Sequence, residues 1–504
     1  MQFPRCDTVV LIMQGAGLAL SDFRVLLTTI LDALHHARKL SDEFFARLSP
    51  EGMYLRSIAE RHRVIFYLGH LEAFDLNLLA TRVLAKSTVD PVLERLFAFG
   101  IDPIDGSLPS DLPADWPTLV QVHSFCQKAR QRVDEILADW VSTITQTDLA
   151  VSDALQMALE HRFMHIETLS YMLPHLPLSA FVPAAIVPVD SQPGPTQPGY
   201  DRVGPPHAVR RIAVPAGPVT IGRNREQTFG WDNEFGALTS YVPAFAIDAR
   251  KVVNEEFLSF VRAGGYKERS FWTDEDWAWK ESRQLQFPIL WRPSADGFRL
   301  RAAFEEIPLP LAWPVQVSLA EARAYVRYLH AQDPSSTARL PSEAELHRAA
   351  YASAPLHKDA AESPDSCRPY PWSGEQAIPL HHGNFGGLRH DLCPVAAFPA
   401  GDSELGVSEL HGNHWEWTQT PFRPLPGFAI DPRYPGYSQA FFDDKHFVIK
   451  GAAACTDVRF LRRTFRNWFQ AHYPYVFASF RCVHQSPIHS PGVLDERSGL
   501  PRTH

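Results

Sequence analysis

The chain has 504 residues, which is too many for one small core and predicts two or three domains. Its composition, 45% hydrophobic and 21% charged, is that of a globular protein and excludes extended disorder. A formal net charge of -9 at pH 7, without a long run of Lys or Arg, gives no basic surface for nucleic acid or for an anionic membrane. We therefore expect neither nucleic acid nor a membrane among the partners of this protein.

The six cysteines are scattered along the chain without CxxC spacing. This pattern argues against a zinc knuckle or a disulfide framework, and it fits the reduced thiols of a cytoplasmic protein. An apolar run at residues 9–20 is shorter than the roughly 20 residues that span a bilayer. We interpret residues 1–20 as an N-terminal extension.

Residues 21–181 have apolar side chains at three- and four-residue spacing, which is typical of amphipathic helices. The pattern is clear in FRVLLTTILDALHHARKL, in RHRVIFYLGHLEAFDLNLLATRVL and in VSDALQMALEHRFMHIETLSYMLPHL. These three are the clearest of four such stretches in this region, which together predict a four-helix bundle. A segment at 100–118, rich in Pro, Asp and Gly, is long enough to be a functional loop.

Seven prolines between residues 182 and 209 indicate a linker, because no helix or central strand accepts proline at that density. Beyond the linker, residues 210–486 contain short β-like runs, many Gly and Pro, and two clear helical patterns at 254–263 and 319–331. These features predict an irregular α+β domain, followed by a tail at 487–504.

Two histidines, His161 and His165, are four residues apart in a helical pattern, so their imidazoles project from one face of the helix and can share a metal ion. A third imidazole, His70, lies on another predicted helix, and bundle cores commonly build metal sites from facing helices. Imidazole ligands suit Fe(II), Zn(II), Cu(II) or Ni(II), and these residues alone do not select one metal. The alternative is that they are ordinary core or surface residues in a chain with 22 histidines. We expect Glu167 to orient a ligand imidazole or to be solvated.

The C-terminal half contains three further motifs, LPSEAELHRAA at 340–350, HGNHWEWT at 411–418 and TFRNW at 464–468. Together with His70 and the HxxxHxE pattern, they resemble the sulfoxide synthases of the ergothioneine pathway. The resemblance covers residues 25–485. It implies an α plus α+β architecture, in which a DinB-like four-helix bundle is joined to a domain like that of formylglycine-generating enzymes, with a C-type-lectin-like fold.

The resemblance implies that His70, His161 and His165 hold Fe(II). The reaction it implies is an O2-dependent coupling at C2 of the imidazole of hercynine, which gives a sulfoxide or a selenoxide. In RYPGYSQAFF, Tyr434 matches the proton donor of the family and Tyr437 a residue that helps to bind hercynine. The alternative is that both tyrosines only form a turn around Pro435 and Gly436.

Asn467 and Trp468 match family residues that line the substrate pocket, where an aromatic face can hold a trimethylammonium cation. Trp415 and Trp417 are assigned to the core. Phe469 replaces the Asp that is typical of enzymes with cysteine-type donors.

Met164 stands at a position where the sulfoxide synthases that the chain resembles often have Gln. Phe469, Tyr473 and Tyr475 offer flat, mostly neutral surfaces that suit a sugar. The chain also resembles selenoneine synthases at LFAFGIDP, LPSDLPADWP and ALEHRFMH, and we therefore expect a selenosugar donor, with γ-glutamylcysteine or cysteine as the alternative.

Two other classes of function are open. Formylglycine-generating enzymes bind copper with a cysteine pair, and Cys455 and Cys482 are the candidates here, although two small packing residues fit the pattern better. A non-enzymatic binding module is the second alternative, because fold alone does not determine function.

Overall fold

A computed structural model describes most of the chain, in five segments: residues 19–98, 108–194, 209–225, 229–353 and 368–485. The predicted tail at 487–504 and nearly all of the predicted extension lie outside the described residues, as do parts of the predicted loop and of the linker. None of the helices in the described segments combines the length and the apolar character needed to cross a membrane.

The predicted N-terminal bundle is confirmed. Its helices are α1 (Leu20–Phe45), α2 (Val64–Asp75), the short α3 (Pro91–Phe97), α4 (Leu119–Thr143) and α5 (Leu149–Met172). Helix α1 packs along α5, and α2 packs on both α4 and α5. Helix α2 continues directly as a π-helix over Leu76–Val83, a form that frequently occurs at functional sites.

The start of α5 has a local cause. The side chain of Asp148 accepts hydrogen bonds from the N–H groups of Ala150 and Val151, at 3.1 and 3.2 Å. These two groups have no partner inside the helix, so the cap fixes where the helix begins.

The described part of the predicted linker forms short 3-10 turns that pack on the C-terminal domain. The side chain of Gln192 is 4% exposed and donates to a carboxylate oxygen of Asp391 at 2.7 Å. Arg389 donates to the carbonyl of Pro193 at 2.8 Å.

The C-terminal half is an α+β domain of short strands and short helices. Its strands form sheets in the orders β1-β4-β12, β10-β9-β8-β11, β2-β3 and β5-β6-β7. The strands are β1 (Arg211–Val214), β2 (Gly217–Ile221), β3 (Leu238–Val242), β4 (Phe245–Asp248), β5 (Trp291–Ser294), β6 (Gly297–Arg301), β7 (Glu306–Pro308), β8 (Trp415–Pro421), β9 (His446–Lys450), β10 (Asn467–Gln470), β11 (Ala478–Ser479) and β12 (Val483–Gln485). The pairing is antiparallel except between β8 and β11, which run parallel.

The two helices predicted in this domain are confirmed as α6 (Asn254–Arg262) and α8 (Leu319–Gln332). The structure adds α7 (Asp274–Ser282) and α9 (Glu343–Tyr351), of nine residues each. Side-chain caps stabilise both of them, from Thr273 before α7 and Ser342 before α9.

One hydrophobic cluster extends from the bundle into the C-terminal domain. It contains Phe163 and Met172 of α5 together with Trp231 and Trp415 of the C-terminal domain. Because the two halves share a core, residues of both can line one site.

Candidate active site

The three histidines predicted as metal ligands meet inside the bundle. The Nε2 atom of His165 lies 3.1 Å from Nε2 of His161 and 3.2 Å from Nε2 of His70. One ring nitrogen from each residue lies within 4.8 Å of the other two, and all three side chains are buried. No other group of three or more His, Cys, Asp or Glu residues in the described segments has this geometry.

Local structure turns the imidazoles towards one another. His161 and His165 are one turn apart on α5, and His70 projects from α2, which packs on α5. Nδ1 of His70 lies 2.7 Å from the carbonyl oxygen of Phe97 at the end of α3. Because a carbonyl only accepts, Nδ1 of His70 carries the proton and Nε2 presents its lone pair.

Burial keeps the imidazoles neutral. Desolvation lowers the pKa of His70 to about 4, although the hydrogen bond to Phe97 raises it. Desolvation and the neighbouring imidazoles hold the pKa of His161 and His165 well below 6.5. All three are therefore neutral at pH 7, which is the form that binds a metal ion.

The cluster fits a transition-metal ion. Two nitrogens about 2.1 Å from one ion, at right angles to each other, are about 3 Å apart, which is close to the two separations that the structure shows. Within the described part of the chain, Nδ1 of His161 and Nδ1 of His165 form no hydrogen bond, so no protein group fixes the tautomer of these two rings. Three neutral imidazoles suit Fe(II), and they also suit zinc, copper or nickel.

Tyr434 and Tyr437 lie beside the cluster, together with Met164. The ring centroid of Tyr434 is 6.0 Å from that of His161 and 5.8 Å from that of Tyr437. The hydroxyl group of Tyr437 lies 3.7 Å from the sulfur of Met164. The N–H of Tyr437 also donates to the carbonyl of Tyr434 at 3.2 Å, so the two tyrosines form a turn, while the ring of Tyr434 also contacts that of His161. Burial raises the pKa of Tyr437 well above 10, so its hydroxyl group keeps its proton.

The three predicted substrate residues on β10 do not share one face. Successive side chains of a strand point to opposite sides, so Trp468 is directed away from Asn467 and Phe469. Trp468 stacks on Phe422 at 4.2 Å and meets Tyr437 edge-on at 5.2 Å, which brings it into the tyrosine group. The side-chain oxygen of Asn467 accepts from the N–H of Trp468 at 2.8 Å.

Phe469 belongs to a second aromatic group, which we call the aromatic wall. The wall consists of Tyr171, Phe469, Tyr473 and Tyr475. The expectation of a mostly neutral surface is incomplete, because the guanidinium group of Arg61 lies 5.1 Å above the ring of Tyr473 and donates to its hydroxyl group at 2.8 Å. The charge of Arg61 also lowers the pKa of His165.

Glu167 was predicted either to orient a ligand imidazole or to be solvated, and both predictions are wrong. The residue is 9% exposed, and its carboxylate accepts from Nε1 of Trp415 and from Oγ1 of Thr456, each at 2.6 Å. Trp415 is buried in the core, as predicted, but its indole N–H also makes this contact between the two halves.

Sequence reasoning missed several residues around the cluster, among them Phe74, Trp231 and Arg61. Phe74 stacks on His161 at 3.4 Å with an angle of 9° between the rings, and it lies four residues after His70, a spacing that could have revealed it. Trp231 stacks on Tyr437 at 4.0 Å, and Arg61 reaches the aromatic wall, but neither has a local sequence signal.

The fold agrees with comparisons to known proteins. Residues 203–486, more than half of the chain, match the family of the sulfatase-modifying factor enzyme 1-like domain. The hercynine oxygenase of Mycolicibacterium thermoresistibile is 32% identical over 401 residues, which cover 78% of this chain and 80% of that protein. The chain therefore belongs to the hercynine oxygenase family.

Two other relatives match over a smaller share of their own length. The hercynine oxygenase of Mycobacterium tuberculosis is 36% identical over 252 residues, which cover 50% of this chain and 55% of that protein. Ergothioneine biosynthesis protein 1 of Neurospora crassa is 26% identical over 501 aligned residues, covering 86% of this chain and 55% of that protein. The chain thus spans about half the length of these two relatives.

Proposed function

We propose that this protein is an Fe(II)-dependent oxygenase that uses O2 to attach a chalcogen to C2 of the imidazole of hercynine. The observation that carries the proposal is the meeting of three neutral imidazole nitrogens beside two tyrosines, in a chain 32% identical to a hercynine oxygenase. His70, His161 and His165 would hold the iron. Bound there, Fe(II) would supply the electrons that activate O2 and the positive charge that keeps the donor as a thiolate or selenolate.

The chain's own residues would bind and orient the substrates. Tyr434, whose ring lies 6.0 Å from that of His161, is the proposed proton donor. Tyr437, Trp231 and Trp468 form a connected aromatic group, with Tyr437 at 4.0 Å from Trp231 and 5.2 Å from Trp468. Such faces attract the permanent cation of hercynine by about 0.5–2 kcal/mol.

The similarity to hercynine oxygenases and to an ergothioneine biosynthesis protein favours a sulfur donor, γ-glutamylcysteine or cysteine. The position of Arg61 supports the same choice, because a donor of this class carries carboxylates and the aromatic wall has this cation against it. The product would then be a hercynine sulfoxide.

A selenosugar is the second candidate donor, and the aromatic wall supports it. Phe469 and Tyr473 are nearly parallel, at 5.2 Å and 17°, and offer the flat surface on which the apolar side of a sugar packs. With this donor the reaction would form a C–Se bond and give a selenoxide.

A copper centre formed by Cys455 and Cys482 is disfavoured. Cys482 is 1% exposed and lies in the hydrophobic core, and Cys455 packs against the same core, which fits the small packing residues expected from the sequence.

One assay tests the proposal. Purified protein with Fe(II), O2 and hercynine is offered γ-glutamylcysteine, cysteine, a thiosugar and a selenosugar in parallel, and the product mass identifies the donor. A His161→Ala/His165→Ala variant that folds should lose both iron and product. A folded wild-type protein that never takes up iron would refute the proposal and favour the binding module.

A further inference from the structure

Two buried carboxylates flank the histidine pair on α5, and both bind the C-terminal domain. Glu160 is 5% exposed and directly precedes His161. It accepts from Nε1 of Trp231 at 2.7 Å, and Arg462 approaches both of its oxygens, at 2.8 and 3.0 Å. Arg462 is held in turn by Glu234, at 2.6 and 2.9 Å.

Glu167 is the second attachment, two residues after His165. Its two carboxylate oxygens each accept one hydrogen bond from the C-terminal domain, from Trp415 and from Thr456. Both donors are neutral and buried, with exposures of 1% and 0%. The anchor at Glu167 therefore consists of two hydrogen bonds, whereas the anchor at Glu160 is an ion pair.

The helix geometry makes the two attachments act together. Residues seven apart are almost two turns apart, so Glu160 and Glu167 project from the same side of α5, about 10 Å from each other along its axis. Arg162 projects from the opposite side and binds Glu72 and Asp75, at 2.9 and 2.7 Å. Two contacts on one side and one on the other restrain both rotation and sliding of the helix.

We propose that Glu160 and Glu167 are positioning residues that fix α5 against the C-terminal domain and so set the distance between the three histidines and the two tyrosines. The inference rests on the proposed function for its substrate. Neither carboxylate touches an imidazole nitrogen, so neither is a catalytic residue. Both act through the helix that carries His161 and His165.

This arrangement separates metal binding from substrate binding. All three histidines and the Arg162 network lie within the bundle, so the metal site does not need the two anchors. Hercynine, by contrast, would contact the histidine cluster of the bundle and the aromatic group of the C-terminal domain. Loss of an anchor should therefore weaken hercynine binding and leave iron in place.

The test compares Glu160→Gln, Glu167→Ala and Glu167→Gln with a matched control, Glu60→Gln. Glu60 pairs with Arg283 across the same two halves but lies outside α5. Three quantities are measured under anaerobic conditions: iron content, the Kd of hercynine by calorimetry with Fe(II)-loaded protein, and hydrogen–deuterium exchange of peptides that cover α5.

Iron should remain near one per chain in all variants. The Kd of hercynine should rise about tenfold or more in Glu160→Gln and in Glu167→Ala, and exchange in α5 should be faster in both. Glu167→Gln should stay close to wild type, because Gln can accept from Trp415 and donate to the hydroxyl of Thr456. The control, Glu60→Gln, should leave all three quantities unchanged.

Unchanged exchange in α5 in Glu160→Gln and Glu167→Ala would overturn the inference, whatever the protein binds. So would loss of iron in parallel with hercynine, because that result means a general loss of the fold. If the wild type itself takes up no iron or no hercynine, the proposed function fails, and the exchange data still decide whether the two carboxylates hold the helix.

Discussion

The guanidinium group of Arg162 joins the two helices that carry the histidines, and its removal has a calculable effect. Arg162 is 0% exposed and lies on α5. It donates to the carboxylates of Glu72 and Asp75 and to the carbonyl of Leu71 on α2, at 2.9, 2.7 and 3.3 Å, and to the hydroxyl of Ser41 on α1 at 3.1 Å. An Arg162→Met substitution keeps much of the side-chain volume and removes every one of these bonds.

The loss in the free energy of unfolding comes from the two buried carboxylates that Arg162→Met leaves without this partner. Loss of one partner of a buried ion pair costs about 3–5 kcal/mol. Glu72 keeps Arg130 at 2.8 Å, but Asp75 keeps only a longer contact with Arg38, at 3.8 Å. Burial already raises the pKa of Asp75 despite the nearby arginines, so most of the cost should come from this carboxylate. A double variant, Arg162→Met with Asp75→Asn, should therefore recover about half of the loss.

Urea unfolding, followed by the circular dichroism of the helices, measures these free energies. A group whose pKa is raised in the folded state loses its stabilising effect as pH rises, so the deficit of Arg162→Met should be smaller at pH 5 than at pH 8. A loss below about 1 kcal/mol, or a double variant no more stable than Arg162→Met alone, would refute the reasoning.

Three further predictions concern pH, donor choice and helix capping. Burial raises the pKa of Glu409 to about 7 from 4.5, so this group stabilises the fold below pH 4.5 and loses that effect as pH rises through 7. The Glu409→Gln variant should therefore lack about 3 kcal/mol of the pH dependence of the free energy of unfolding, measured in urea titrations. An unchanged dependence on pH would contradict the assignment. Phe469→Asp should raise the ratio of kcat/KM for cysteine-type donors to kcat/KM for sugar donors about tenfold, because a carboxylate at the aromatic wall attracts the ammonium group of a cysteine-type donor. An unchanged ratio would mean that the donor binds elsewhere. Asp148→Ala removes the cap of α5 and should lower the stability of the fold by about 1 kcal/mol, measured by thermal unfolding. The iron content should stay constant. A loss of iron would mean that the cap also holds the histidine cluster in place.

Much of the site could be predicted from local periodicity. The spacing of His161 and His165 determines that both imidazoles leave α5 on one face, and any fold that keeps the helix keeps that relation. The proline-rich segment and the change from helical to β-like texture likewise located the two halves, since both depend on backbone preferences of neighbouring residues. The position of Phe74 four residues after His70 likewise places it on the same face of α2, whereas its stack on His161 depends on the packing of α2 against α5.

Local sequence did not determine which residues meet across the two halves. The partners of Glu167 are 248 and 289 residues away, and those of Glu160 are as far as 302, so packing of the whole chain decides whether these carboxylates face solvent, an imidazole or a distant donor. Strand β10 separates local from tertiary information in the same way. The alternation of side chains along a strand puts Trp468 and Phe469 on opposite faces. Only the fold brings one face to Tyr437 and the other to the aromatic wall with Arg61. The sequence thus determined the chemistry that each side chain can perform, and the tertiary structure decided which of these side chains act on one another, because burial and distance are properties of the packed chain.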